Sequence, residues 1–341
     1  MNSENSNARL PGLDGLRGIS ILLVIMCHSN WTQHIHLRAN LAEDLRRATF
    51  PLGYFGVPIF FVISGFLITY LLLKEERRHG SISLKQFWVR RFLRIVPPVM
   101  AYVLFITIFS KVSGLHLQGL DLASVILFFR NLVDGNAFFD HFWSLSLEEQ
   151  FYLIWPLVLV FAPRHCRLRI GLVLLILFPL LRLASACFFS PPLHDFLTRM
   201  MRFDSILVGC LLAIVWDAVD YLKFPVQWGN KIFLAGLAGA FLAWLLSYHF
   251  NVCPNFSGTM PLYKQLMEEI MTVLLNLGIS CIIISAVTQS SQWAAFLNMK
   301  WLVCIGVISY SLYLWQQFFF FAPNLPNFMY YLPVRVLLSF G

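Results

Sequence analysis

The sequence predicts an all-α protein, a polytopic transmembrane helix bundle of about ten helices with the last one truncated. Three observations predict it. Of the 341 residues, 58% are hydrophobic and only 12% are charged, whereas a soluble domain carries about 25% charged residues. The apolar surplus falls into runs of about 16–22 residues, long enough to cross a hydrocarbon core of about 30 Å. Phe contributes 33 residues and Trp 10, many near the ends of those runs, as expected of rings at a lipid–water interface.

Taken in chain order, spans are expected over 14–31, 53–73, 95–113, 147–162, 168–189, 203–218, 231–250, 268–288 and 302–322, with an incomplete tenth over 329–341. The stretch 121–133 (DLASVILFFRNLV) has 13 residues, too few for a comfortable span, and reads as interfacial or re-entrant. Basic charge arbitrates. With a cytoplasmic N-terminus and 121–133 not crossing, fourteen Lys and Arg fall in inner segments and seven in outer ones. A crossing at 121–133 would move the cluster RHCRLR (164–169) outside, against the positive-inside rule. Both chain ends are therefore expected in the cytoplasm, with the protein multi-pass in the cell (inner) membrane. The segment MNSENSNARLPGLDGLRG has no basic n-region and no small-residue cleavage site, so the first run is expected to be a retained helix. Residues 1–341 read as one integral-membrane domain without a separate soluble domain or internal repeat.

Several function classes are disfavoured. A net charge of +8 would suggest nucleic acid in a soluble protein, but here positive-inside bias and attraction to anionic lipid account for it. Outside the spans there is no interleaved basic and aromatic surface. The seven cysteines are odd in number, form no CxxC and sit mostly in apolar runs, which fits small buried hydrophobes better than a disulfide framework. No metal-ligand spacing is seen, His34 and His36 read as solvated, and no tightly bound cofactor is expected.

Ionisable groups inside a span are costly and so mark candidate sites. The first span, LDGLRGISILLVIMCHSNW, holds Asp14, Arg17 and His28. Eleven residues at about 100° each return to within roughly 20°, so Arg17 and His28 share a stripe about 16 Å apart along the axis. Arg17 then lies near the cytoplasmic mouth and His28 near the outer side, where interface anchoring competes with chemistry as an explanation. Cys27 points about 100° away from His28 and reads as structural. In FWVRRFLRIVPP, Arg91 and Arg94 share a helix face at i, i+3, beside Arg90. They suit either cytoplasmic anchoring or a phosphate clamp, since guanidinium forks match phosphate. In HFWSLSLEEQFYLIWP, Glu148 and Glu149 point about 100° apart, so one should face the bundle. A helix-start charge effect is the alternative there. Arg202 and Asp204 open the sixth span, and ISYSLYLWQQ ends in Gln316 and Gln317. Helix direction brings His28, Glu148, Asp204 and Gln316 toward the outer half, and Arg17, Arg91 and Arg94 toward the inner half.

The segments LDGLRGISILLVIMCHS, GYFGVPIFFVISGFLIT, FWVRRFLRIVPP, WSLSLEEQFYLIWP, RFDSILVGCLLA and ISYSLYLW occur in an order that resembles the membrane-bound acyltransferase family 3, of the carbohydrate O-acyltransferase type. The similarity runs from about residue 9 to 322. It implies transfer of an acyl group, commonly acetyl, from acyl-CoA to a hydroxyl of a cell-surface glycan or lipid-linked sugar. Arg17 and His28 match the family's Arg-x10-His motif, held to be catalytic. Arg91 and Arg94 match the Arg-x-x-Arg motif associated with the donor, and Glu148 matches the acid of WSLSxEEQFY. The chain departs from the pattern at Pro58, where many relatives have a polar or acidic residue, and at Gln316, where some have His. It also stops at LPVRVLLSFG, before the last helix would be complete.

The mechanism these matches imply places the donor phosphates at Arg91, Arg94 and Arg17 and the thioester near His28. His28 serves as a general base or as a covalent acyl carrier. Glu148 orients or stabilises its imidazolium, and Asp204, Arg202 and Gln316 lie on the acceptor side. A transporter or flippase of glycans or lipid-linked sugars also needs buried Arg, His and Glu. It would move substrate without releasing free thiol. A membrane scaffold is the third reading.

Overall fold

A computed structural model describes residues 10, 12–28, 49–219, 226–250, 261–288 and 292–321. The expected span 329–341 and the loop holding His34 and His36 lie outside the described residues. Among the described residues the regular structure is entirely helical. The helices are α1 (Leu13–His28), α2 (Gly56–His79), α3 (Leu84–Ser113), α4 (Gly119–Ile126), α5 (Phe142–Phe161) and α6 (Arg164–Phe188). They continue as α7 (Pro191–Met200), α8 (Asp204–Ala218), α9 (Val226–Phe250), α10 (Leu262–Val287), α11 (Gln292–Leu297) and α12 (Lys300–Phe321).

Each of the nine complete spans expected from the apolar runs is a helix here. Seven are long and apolar enough to cross a membrane by length and composition. The other two, α1 with 16 residues and α8 with 15, are shorter. Both lie inside the bundle: Ile21 and Val24 of α1, and Ile206, Leu207 and Cys210 of α8, are buried. The stretch 121–133 does not span. It holds the end of the eight-residue α4, about 12 Å long by its rise, and a 3-10 turn over Arg130–Leu132.

Several helices begin or end outside the expected spans, and three of these boundaries bear on the site. Helix α2 runs on through KEERRH to His79, where Gly80 at φ 75° ends it and its N–H bonds the Glu76 carbonyl at 2.8 Å. Helix α3 starts at Leu84, eleven residues before the apolar run, so the arginine cluster is helical and continuous with the span. Helix α5 starts at Phe142, five residues before the expected 147. In each case charged or polar helix formers extend a helix that hydropathy alone would stop. Pro97 and Pro98 lie inside α3 and deprive the Leu93 and Arg94 carbonyls of their usual donors. One turn away, the Tyr310 hydroxyl donates to the Ile95 carbonyl at 3.1 Å and ties α3 to α12. The short helices α7 and α11 have no counterpart in the sequence reading, being too brief to show a period.

Close backbone contact holds the inner helices together, since lipid supplies no hydrophobic drive between them. A Cβ on Gly65 of α2 would stand 2.0 Å from the Ile206 carbonyl oxygen of α8, and one on Gly209 of α8 would stand 2.1 Å from that of Val62. The same device joins α1 to α12, where a Cβ on Gly306 would stand 1.7 Å from the Asp14 carbonyl. Ser20 of α1 donates to the Gly56 carbonyl at 2.5 Å, so α1 is fixed between α12 and α2.

Ion pairs mark both ends of the bundle. At one end Glu76 takes Arg167 at 2.6 Å and Arg164 at 3.2 Å, and Arg77 meets Asp217 at 2.6 Å. This is the arginine-rich end, called basic below. At the opposite end Arg199 meets Asp134 and Arg202 meets Glu268, both at 2.7 Å. Between the helices, buried Arg182 of α6 binds Asp204 of α8 at 2.8 Å and Glu269 of α10 at 2.6 Å.

Candidate active site

Helices α1, α2, α3, α5 and α12 enclose a cavity with two chemical ends. Arg17, Arg91, Arg94, Glu148, Ser64, Tyr152 and Tyr310 line one part, and Ser144 and Tyr313 line another, with Val57, Phe60 and Phe61 among its apolar walls. A neighbouring recess at the start of α1, reaching Asp14, shares Arg17 and Arg94 with the cavity. The two guanidinium groups therefore stand between the cavity and the basic end of the bundle.

Each charged group is placed by a specific element. Arg17 sits one turn into α1, whose backbone is clamped by the glycine contacts to α12. Arg91 enters because α3 is already helical seven residues earlier. Its guanidinium lies 4.7 Å from the Tyr152 ring centroid and 5.8 Å from that of Phe87, a stacking that suits a planar cation. Trp88 donates to the Tyr152 carbonyl at 3.1 Å and locks α3 against α5. The Glu148 carboxylate accepts from Ser64 and Tyr152, whose hydroxyls also meet each other, and lies in electrostatic reach of Arg91 and Arg17. Of the two adjacent acids Glu148 lines the cavity, as the helix geometry implies.

The outer-half cluster expected from helix direction separates into three places. Glu148 joins the arginines. With α5 starting at Phe142, Glu148 lies six residues, or about 9 Å, inside the bundle and not at its mouth. Asp204 is held by Arg182 in the buried ion-pair network. Arg202 pairs with Glu268 and lines a separate cleft with Arg130, Asp140, Trp143 and Arg199. Only Gln316 meets His28, with Nδ1 and Oε1 3.0 Å apart. The depth of Glu148 was misread because the helix start was misplaced, and the rotation of one helix against its neighbours was not readable at all.

A second histidine escaped the sequence reading. His141 precedes α5, is 3% exposed, and packs its ring against Phe142 at 4.5 Å, Tyr102 at 5.4 Å and Tyr313 at 5.6 Å. It lies in electrostatic reach of His28. The Tyr313 hydroxyl donates to its backbone carbonyl at 2.8 Å. The signal was present at the head of HFWSLSLEEQFY, but His141 falls outside the apolar run and so was not counted as intramembrane. Arg182 was missed for the opposite reason, as one charge within a long apolar run.

The arrangement offers cations at one end, an aromatic-walled interior, and histidines beyond the other end. It fits an elongated substrate with an anionic head and a reactive tip. Arg17 and His28 remain about 16 Å apart because one rigid helix carries both.

Sequence comparison supplies the remaining context. A family model described as an acyltransferase domain matches residues 10–338. Over 329 residues the chain is 32% identical to the O-acetyltransferase OatA of Staphylococcus aureus (strain NCTC 8325 / PS 47), covering 90% of this chain and 50% of that protein. The OatA proteins of strains COL and MRSA252 give the same 32% identity over the same shares. The chain thus spans about half the length of these curated relatives. No solved structure matches.

Proposed function

The chain belongs to this acyltransferase family, and from that premise we propose that it moves an acetyl group from acetyl-CoA, through the membrane-embedded cavity, to a hydroxyl of a surface glycan or lipid-linked sugar. The observation that carries the reading is the cavity itself. It gathers Arg17, Arg91 and Arg94 with Ser144 and Tyr313, whose shared partner is the backbone of His141, a residue in electrostatic reach of His28. In this reading the donor's phosphates meet Arg17, Arg91 and Arg94 from the cytoplasm, where guanidinium forks match phosphate oxygens. The pantetheine arm lies along the aromatic walls and brings the thioester beside His28.

Gln316 meets His28 Nδ1 at 3.0 Å, and in this reading Nε2 acts as the base. His28 takes the proton of the acceptor hydroxyl as the oxygen attacks the thioester carbonyl carbon. The tetrahedral species then collapses, the C–S bond breaks, and the leaving thiolate takes the proton from the imidazolium. Glu148, placed among Ser64, Tyr152, Arg91 and Arg17, orders the donor-binding cations and does not touch the histidine.

The test uses the full chain in proteoliposomes with acetyl-CoA and a short chito-oligosaccharide. Wild type is expected to release free thiol and add one acetyl mass to the sugar, and His28→Ala to bring both to background. Full acetyl transfer by His28→Ala would sink the mechanism. Sugar movement without thiol release would instead support a transporter.

A further inference from the structure

We propose that the paired hydroxyls of Ser144 and Tyr313 form the oxyanion site of this acyl transfer, which rests on the acyltransferase reading above. An attacked thioester carbonyl gathers negative charge on its oxygen. The group that binds it must offer preorganised O–H or N–H donors in a water-poor pocket. The cavity contains two hydroxyl pairs that could do so. Ser64 and Tyr152 meet each other, but both are also committed to the Glu148 carboxylate. A carboxylate at that position repels an oxyanion and already occupies the donors.

Ser144 and Tyr313 also meet each other, and although Glu148 is in electrostatic reach of Tyr313, it is not one of their hydrogen-bond partners. Both line the cavity. Their shared partner is the His141 backbone carbonyl, which accepts from Tyr313 at 2.8 Å and from Ser144 at 3.2 Å. The longer Ser144 bond is the one most readily exchanged for a stronger acceptor, because a charged oxygen binds a hydroxyl roughly twice as strongly as a neutral one. Tyr313 keeps the pair aligned from α12, and Ser144 stands on the first turn of α5. The ring of Phe60, 6.2 Å from that of Tyr313, walls this part of the cavity with apolar surface. His141 itself lies in electrostatic reach of His28, so the pair sits on the histidine side of the cavity, where the thioester is required to be.

The chemistry balances without another reactant. As the acceptor oxygen bonds to the carbonyl carbon, its proton passes to His28 and the carbonyl electron pair becomes the oxyanion. The Ser144 proton turns from its neutral acceptor to that charge, while Tyr313 keeps its proton on the His141 carbonyl and holds Ser144 in place; neither transfers a proton. When the carbonyl re-forms, the thiolate leaves and recovers the proton from His28.

The experiment compares Ser144→Ala, Ser144→Thr, Tyr313→Phe and His28→Ala as full chains in proteoliposomes, reading thiol release from acetyl-CoA with chito-oligosaccharide as acceptor and, separately, binding of CoA. Losing one oxyanion donor costs about 10²–10³ in kcat. Ser144→Ala is expected to fall by that order, and Tyr313→Phe by about tenfold as the loss of its positioning partner, each with CoA affinity within about twofold, and Ser144→Thr to recover most of the rate. If both variants stay within about fivefold of wild type while His28→Ala is inactive, the oxyanion assignment is wrong and the acyltransferase mechanism stands. Loss of CoA binding in either variant also overturns the assignment, since the hydroxyls would then serve the donor or the packing. An active His28→Ala variant overturns the underlying mechanism.

Discussion

Gln316 is fully buried, and its side-chain oxygen meets His28 Nδ1 at 3.0 Å. That contact selects the tautomer with the proton on Nδ1, the form in which Nε2 is a base. A buried hydrogen bond of this kind is worth about 0.5–1.5 kcal/mol net, and a tenfold rate change corresponds to about 1.4 kcal/mol. Gln316→Leu is therefore expected to lower kcat about tenfold with the KM for acetyl-CoA unchanged, read by thiol release in proteoliposomes. A raised KM with unchanged kcat would place Gln316 in donor binding instead. Ionisable groups that interrupt an apolar run could be picked out of the sequence as candidates, as with Arg17 and His28, although Arg182 in such a run was passed over. The partners of those residues were not. Glu148 seemed to belong with His28 because both approached one end of their spans. It lies with the arginines because α5 begins one and a half turns earlier than its hydropathy suggests. Asp204 was read as facing an acceptor, whereas its carboxylate is taken up by Arg182, a contact between α6 and α8 that no single segment encodes.

At the scale of the element, the short helices α1 and α8 depend on glycine. Between α2 and α8 the backbones are so close that a Cβ on Gly65 would intrude on a carbonyl oxygen of the facing helix. Gly65→Leu is expected to destabilise the bundle by about 1–3 kcal/mol or more, the usual range for forced overpacking. It should appear as a lowered midpoint of thermal unfolding in detergent. Gly119→Ala, with no atom within 4 Å of the new carbon, should leave that midpoint in place. An unchanged midpoint for Gly65→Leu would show that the two helices can part without cost. Nine spans were legible because runs of apolar residues are long compared with any turn. Helix ends were less so: the starts of α3 and α5 lie in charged or polar segments that hydropathy counts as outside. Length leaves the stretch 121–133 ambiguous, and the basic-charge count decides against its crossing; the helix that enters it has eight residues.

For the molecule as a whole, the arginine-rich end should face the cytoplasm. A membrane-impermeant maleimide should reach Arg78→Cys only in inverted vesicles and Asp134→Cys only in intact cells, in each case measured as the increment over the parent chain's own cysteines. Both positions are exposed, at the basic and the opposite end respectively. The reverse pattern would put Arg17 on the outer side and end the case for a cytoplasmic donor. The orientation was argued from basic-residue counts, a property summed over the chain and therefore readable without a fold. The cavity was not readable, because five helices from distant parts of the sequence build it. One rigid helix carries both Arg17 and His28, and this has a thermodynamic consequence. On the proposed function, a coenzyme moored by its phosphates at one end of α1 would never have to leave the aqueous phase it came from. Only a two-carbon group, uncharged and small, completes the crossing. The proposed reaction would be vectorial: it would export acetyl units while the nucleotide stays behind, and the energy of the thioester bond would drive the export without an ion gradient.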